Sequence, residues 1–181
     1  MITVATYNPL NKGYLLVVGL ALSMAPPIQR RLDAQSRISG AVGVAVPIGG
    51  TADRIKIGYQ SALAISLAPF QSPNRIRLEA AIAELSDKAA TTVERRISFA
   101  AANLVVTSVA APSAPAGYVI AGVGAYHQRA AGRGSDHGGL NVGAGITFTF
   151  GAFGAFTEAR LHYIADGSKT KLFPITFGLV F

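Results

Sequence analysis

The stretch that decides the fold is Lys171-Leu-Phe-Pro-Ile-Thr-Phe-Gly-Leu-Val-Phe181. Read with a period of two, Phe173, Ile175, Phe177, Leu179 and Phe181 fall on one face, and Leu172, Pro174, Thr176, Gly178 and Val180 on the other. Successive side chains of a strand point to opposite sides of its sheet. The stretch is therefore a strand with one bulky apolar face and one smaller, more polar face. Such a strand either lines a soluble core or faces lipid. The rest of the chain decides between the two.

Working back from this end, seven further segments carry strand patterning: residues 38–48, 55–68, 75–85, 95–109, 117–129, 139–150 and 155–164. The cleanest sets Leu140, Val142, Ala144, Ile146, Phe148 and Phe150 against Asn141, Gly143, Gly145, Thr147 and Thr149. In the second, Ile57, Tyr59, Leu63, Ile65 and Leu67 oppose Lys56, Gly58, Gln60, Ala62, Ala64 and Ser66. The third opposes Ile76, Leu78, Ala80 and Ile82 to Arg75, Arg77, Glu79, Ala81 and Ala83. The facing of the fourth is open, because Ala100-Ala-Ala102 carries no alternation. Residues 79–85 and 98–106 also suit a helix, since Ala, Leu and Glu favour one.

Turn residues separate the segments, and the connections alternate in character. Thr51–Arg54, 87–94, 131–137 and 166–169 are polar and charged, whereas 69–73, 112–116 and 151–154 are short or built on Pro and Gly. An even strand number with hairpin connections and two unlike ends suits an up-and-down barrel. An eight-stranded interior is narrow, so the Gly, Ala, Ser and Thr faces belong inside. These faces hold too few Lys and Glu to make a water-facing exterior. The bulky faces then meet lipid, and closure satisfies every backbone N–H and C=O.

The first residues are different in composition. Lys12 precedes the apolar run Tyr14–Ala25, which has the length of a secretory h-region and is short for a membrane-spanning helix. The expectation is a signal peptide over residues 1–34, with cleavage after Ala34 or Gln35. The chain has no Cys, which excludes disulfides and thiolate metal sites, and no Trp, so interfacial anchoring falls to Tyr and Phe. Its net charge of +7 is dispersed without a basic run, which gives no support to nucleic-acid binding.

Tyr118-Val-Ile-Ala-Gly-Val-Gly-Ala-Tyr126, Leu140-Asn-Val-Gly-Ala-Gly-Ile146, Phe156-Thr-Glu-Ala-Arg-Leu-His-Tyr163 and Pro174–Phe181 follow one another as strands. Together they resemble the small outer-membrane β-barrel domain family, the opacity-protein-like bacterial barrels, over residues 36–181. The terminal Phe181 also matches the last strand of bacterial outer-membrane barrels. The resemblance implies an all-β chain, an eight-stranded antiparallel up-and-down transmembrane β-barrel in the bacterial outer membrane. It implies insertion by the barrel-assembly machinery through the strand ending at Phe181, and it transfers no catalytic residue. With eight strands, both termini fall on the periplasmic side.

Glu158, Arg160 and His162 share one strand face, and Arg77 and Glu79 face the same lumen, so these five are read as a structural polar network. His162, Asp166 and Ser168 are the set a lipid-A-modifying enzyme would use, but no Ser stands in a nucleophile motif. His127 and His137, with Asp136, flank the loop 129–138, where a metal site would need a third ligand and fixed geometry and a solvated loop is the simpler reading, and Gly132-Arg-Gly134 reads as a turn. No catalytic, cofactor-binding or metal site is assigned. Arg129, Arg133, Lys169 and Lys171 are placed at the outer rim, where lipopolysaccharide phosphates would meet them. The expected role is structural, adhesive or envelope-stabilising, not that of a general pore. A lipid-A-modifying enzyme and a soluble lipid-binding barrel are the alternatives.

Overall fold

A computed structural model of the chain describes residues 36–68, 74–89, 94–108, 114–151 and 153–181. The expected signal peptide lies outside the described residues. From Ser36 onward the chain forms eight strands: β1 (Ser36–Pro47), β2 (Gly58–Leu67), β3 (Arg75–Ser86), β4 (Glu94–Thr107), β5 (Ala116–Ala130), β6 (Arg133–Phe150), β7 (Phe153–Ile164) and β8 (Lys171–Val180). Each pairs antiparallel with its sequence neighbours, and β1 pairs with β8 to close the barrel. The seam runs from Pro47 opposite Leu172 to Ser39 opposite Val180. Beyond it, Phe181 and Ile38 exchange backbone hydrogen bonds of 2.8 and 3.1 Å. Pro174 offers no N–H, and the β7–β8 ladder is interrupted at Arg160 and Leu161, the positions that would face Pro174 and Phe173.

The stretches with helix propensity, residues 79–85 and 98–106, are strands. Ala80 lies opposite Ala100, and Ala100 opposite Ala125, so ladder pairing on both sides overrides the intrinsic preference of Ala. The same register sets the facing of β4. Ile97, Phe99, Ala101, Asn103 and Val105 are buried, whereas Leu104 and Val106 are exposed.

The apolar faces point outward on every strand that alternated cleanly. Val42, Leu63, Leu78, Val123, Leu140, Val142, Phe177 and Leu179 are exposed large hydrophobics. Phe150, Phe153 and Phe181 are exposed at the end that carries the chain terminus, and Tyr59, 78% exposed, stands near the other. A belt of this kind has no partner among the described residues, and hydrocarbon is the solvent that suits it. A soluble lipid-binding barrel needs the opposite arrangement.

Two expectations are corrected. Residues 131–137 do not form a long loop. β6 begins at Arg133, and Ala131 and Gly132 make a two-residue turn with φ of 48° and 78°. Positive φ at both positions is the type I′ signature, whose twist matches that of the flanking strands. β5 and β6 therefore continue as a ladder past the neighbouring strands. The interior is also not uniformly small. At the end bearing the connection from β1 to β2 (the loop end), Ile55, Leu85, Ile97, Phe99, Tyr126, Ile164 and Leu172 fill the lumen. The one-turn 3₁₀ segment Gly49–Thr51 helps to seat this plug. Thr51 Oγ1 accepts a hydrogen bond from the Lys171 N–H at 3.0 Å, and the Thr51 carbonyl accepts from the Ile55 N–H at 3.0 Å.

Candidate functional site

The lumen below the plug is the place where chemistry-bearing side chains gather. β3 and β7 stand four strands apart in a ring of eight, so they face each other across it. Alternation aims Arg77 and Glu79 inward from one side, and Glu158 and Arg160 inward from the other. Arg77 Nη1 meets Glu158 Oε2 at 2.7 Å, Arg160 Nη2 meets Glu79 Oε2 at 2.5 Å, and Arg160 Nε meets Glu158 Oε1 at 2.6 Å. Two cations and two anions thus cancel in a layer where Glu158 is 2% and Arg160 4% exposed. Isolated burial of any one of them would cost several kcal/mol, which is why they occur as a closed set.

Neutral groups complete the layer. Tyr118 Oη donates to Glu158 Oε2 at 2.8 Å. The Arg77 guanidinium lies over the rings of Tyr118 and Phe156, 5.5 and 5.6 Å from their centroids. Asn141 donates to Asn103 Oδ1 at 2.8 Å, and Asn103 donates to the Arg77 carbonyl at 3.4 Å. The ring of Tyr118 lies where a Cβ on Gly145 would fall, so β6 needs Gly there for the aromatic to cross the lumen. Tyr118 and Phe156 were not singled out from the sequence. Both share the inward parity of Gly122 and Glu158, respectively, and that parity is the signal that finds them.

His162 also faces the lumen. It is buried, 1% exposed, but it is two residues beyond Arg160 toward the loop end and joins the aromatic plug. Its Nδ1 pairs with the Tyr126 hydroxyl at 2.9 Å, and its ring lies 4.9 Å from that of Phe99. The ion pairs are therefore made by Arg77, Glu79, Glu158 and Arg160, and His162 makes its hydrogen bond one step nearer the loop end, among the aromatic rings of the plug.

The candidate hydrolytic set does not assemble. Asp166, in the β7–β8 connection, accepts hydrogen bonds from the Thr170 N–H at 2.8 Å, Thr170 Oγ1 at 2.6 Å and Gln128 Nε2 at 2.8 Å. Burial pushes its carboxyl up, but the hydrogen bonds from Thr170 and Gln128, with a contribution from His137, outweigh that and hold it below the usual carboxylate range. Ser168 Oγ accepts from Arg54 Nη1 at 3.4 Å. No hydrogen bond links His162, Asp166 and Ser168 among the described residues.

On the protruding hairpin, His127 Nδ1 pairs with Asp136 Oδ1 at 2.7 Å across the ladder, and His137 Nε2 pairs with Ser135 Oγ at 3.0 Å. No group of three or more metal-ligating side chains forms among the described residues. Arg129, Arg133, Lys169 and Lys171 are exposed at the loop end.

No protein-family model matches the chain. No curated protein matches it either. Solved structures do. Neisserial surface protein A superposes with a TM-score of 0.64 at 11% identity, over 80% of this chain and 95% of that one. The N-terminal β-barrel domain of Pseudomonas aeruginosa OprF gives 0.51 at 15% identity, over 81% and 98%. Ail, the attachment invasion locus protein of Yersinia pestis, gives 0.50 at 13% identity, over 81% and 99%. Identities this low carry the architecture and nothing about individual residues. With the closed register, the apolar exterior and the charge-paired lumen, they establish that the chain has the fold of the small eight-stranded outer-membrane β-barrels.

Proposed function

We propose that this chain is an exported bacterial outer-membrane protein that acts through its exposed loop end, in an adhesive or envelope-stabilising role. The observation that carries the reading is the pairing of an apolar exterior with a lumen closed by its own side chains. A barrel plugged by ion pairs and by Ile97, Phe99 and Leu172 offers no general diffusion path, so the work falls to surfaces outside the lumen. Two structural neighbours, a surface protein and an attachment invasion protein, agree with that class of role. Both termini then lie on the periplasmic side. The strand ending at Phe181 is the segment offered to the barrel-assembly machinery. Arg129, Arg133, Lys169 and Lys171 face lipopolysaccharide phosphates at the outer rim. An enzymatic role in lipid-A modification lacks support, because His162 is enclosed in the aromatic plug and the acid and hydroxyl beside it serve other partners.

Expression in a Gram-negative host followed by membrane fractionation tests the reading. The expected result is recovery in the outer-membrane fraction, with migration on a gel that changes on heating and added surface adhesion in whole cells. A periplasmic monomer that stays soluble without detergent would overturn it. Altered lipid A in the overexpressing strain would favour the enzyme instead.

A further inference from the structure

The outer wall of the barrel is not evenly covered. Followed from Phe148 of β6, the outward row of paired residues runs once around the ring, by way of Leu179, Leu63 and Ala100, and returns to β6 at Gly138. That is ten residues nearer the loop end, so the row climbs toward the loop end as it passes from β2 to β6. Its upper half is Leu63, Ala80, Ala100, Ala125 and Gly138, and after Leu63 every member is Ala or Gly. This half forms the floor of a groove of about 970 Å³ in the outer wall, with Leu78 and Val123 along its lower edge. Four steps of about 4.8 Å make the floor about 19 Å long, comparable with one leaflet of a hydrocarbon core about 30 Å thick. A Cβ on Gly138 would meet nothing within 4 Å, so the upper end is open.

The groove changes character as it climbs. Its floor is apolar, whereas the next row toward the loop end carries Ser98, His127 and Asp136, and the row beyond that carries Glu84, Arg96 and Arg129. A second hollow, of about 580 Å³, lies there between Tyr59, Arg95 and Arg129. The outward carboxylates at this level are already held, Asp136 by His127 at 2.7 Å and Glu84 by Arg96 at 2.6 Å. Arg129 is exposed and has neither a hydrogen bond nor an ion pair among the described residues. The wall from β2 to β6 thus offers an oblique apolar slot that leads up to a cation.

Groove and bilayer interior are both apolar, so an occupant gains by dispersion contact with the slot. A single flexible acyl chain follows such a slot along its length. A second copy of the barrel is convex, and its bulky outward face would bridge the slot and leave it void. Its outward carboxylates at this level are also spent on their own partners. An anionic headgroup on the chain answers Arg129.

We propose that this wall seats one molecule of the phosphate-bearing glycolipid of the outer leaflet, lipid A, with an acyl chain on the Ala80–Ala100–Ala125 floor and a phosphate against Arg129. The inference rests on the outer-membrane orientation proposed above and names where on the barrel the lipid sits.

Native mass spectrometry of the purified, detergent-solubilised protein with added bisphosphorylated lipid A tests it. One lipid A is expected to stay bound per chain, in preference to dephosphorylated lipid A and to phosphatidylglycerol. Ala100→Phe fills the slot and is expected to weaken retention about tenfold. Ala125→Leu, a smaller filling expected to cost about threefold, keeps the test informative if Ala100→Phe does not fold. Arg129→Gln is expected to cost about threefold, as an exposed charge contact would. Ala159→Phe, the same exchange on the outward face of β7, is expected to leave retention unchanged. No retained lipid A, equal retention by parent and folded Ala100→Phe protein, preference for phosphatidylglycerol, or a lipid-free dimer would overturn the proposal. Such a result with the parent still recovered in the outer-membrane fraction strikes the groove alone, whereas recovery of the parent as a soluble periplasmic protein strikes the orientation beneath it.

Discussion

Arg77 and Glu158 lie 81 residues apart in sequence and meet across the lumen at 2.7 Å. Glu158 also holds Arg160, so one carboxylate on β7 ties together two guanidiniums from opposite walls of the barrel. Replacing it leaves Arg160 with Glu79 alone and takes from Arg77 its ion-pair partner. Glu158→Gln should therefore destabilise the folded barrel by about 3–5 kcal/mol, the cost of stranding a buried charge. Urea unfolding in lipid vesicles measures this. The apolar replacement of all four charges, Arg77→Met/Glu79→Leu/Glu158→Leu/Arg160→Met, should recover most of the loss, because it strands nothing. Equal instability of the two proteins would contradict the assignment.

Gly145 makes room for Tyr118, whose hydroxyl reaches Glu158. Gly145→Val should force the ring aside and break that hydrogen bond, at about 2–4 kcal/mol for the combined overpacking and lost bond. Tyr118→Phe removes only the hydroxyl and should cost about 1–3 kcal/mol. If Gly145→Val is tolerated without loss in the same unfolding assay, the ring does not lie over β6.

The β5–β6 turn places Ala131 at φ 48°, a region in which a Cβ is strained. Asn suits the first position of a type I′ turn before Gly132. Ala131→Asn should stabilise the protruding hairpin by about 0.5–1 kcal/mol, read as slower amide exchange of the hairpin residues near Tyr126 and His137. Faster exchange would mean that the two-residue turn is not formed.

Asp166 sits in the loop with its pKa held low by Thr170 and Gln128. A carboxyl with a folded pKa below its unfolded value stabilises the fold above the unfolded pKa and loses that contribution as pH falls through the folded pKa. The β7–β8 connection should hence be fully closed at neutral pH and loosen only below the usual carboxylate range, around pH 3.9. Amide exchange at Thr170 measures it. Asp166→Asn should show at neutral pH the faster exchange that the parent shows only in acid, and identical behaviour of the two proteins at neutral pH would refute the link.

Much of this fold is written in the alternation itself. Leu140 to Phe150 and the terminal strand state their facing without ambiguity because large apolar and small polar residues trade places at every step. The ion pairs were foreshadowed too, since Arg77, Glu79, Glu158 and Arg160 had the parity of their small neighbours. Three features were not legible, each for a physical reason. Ala fits either face and either secondary structure, so Ala100 to Ala102 left β4 unphased until cross-strand pairing fixed Asn103 inward. Arg133 to Gly138 is polar and Gly-rich, as a loop would be, yet outside the apolar belt a ladder needs no apolar face. The apolar plug depends on Ile55 and Leu172 arriving from separate connections, and no local pattern reports such a meeting.

The bulky face of each strand meets lipid while the small face lines a closed lumen. The chain has no cysteine, so single cysteines at Leu140, Asn141, Val142, Gly143 and Ala144 can each carry a spin label in lipid vesicles. Collisional access of oxygen from the bilayer is expected at 140, 142 and 144, with little access at 141 and 143 and little access of a water-soluble nickel chelate at any of the five. Loss of the two-residue period, or higher nickel access at 140, 142 and 144 than at 141 and 143, would contradict it.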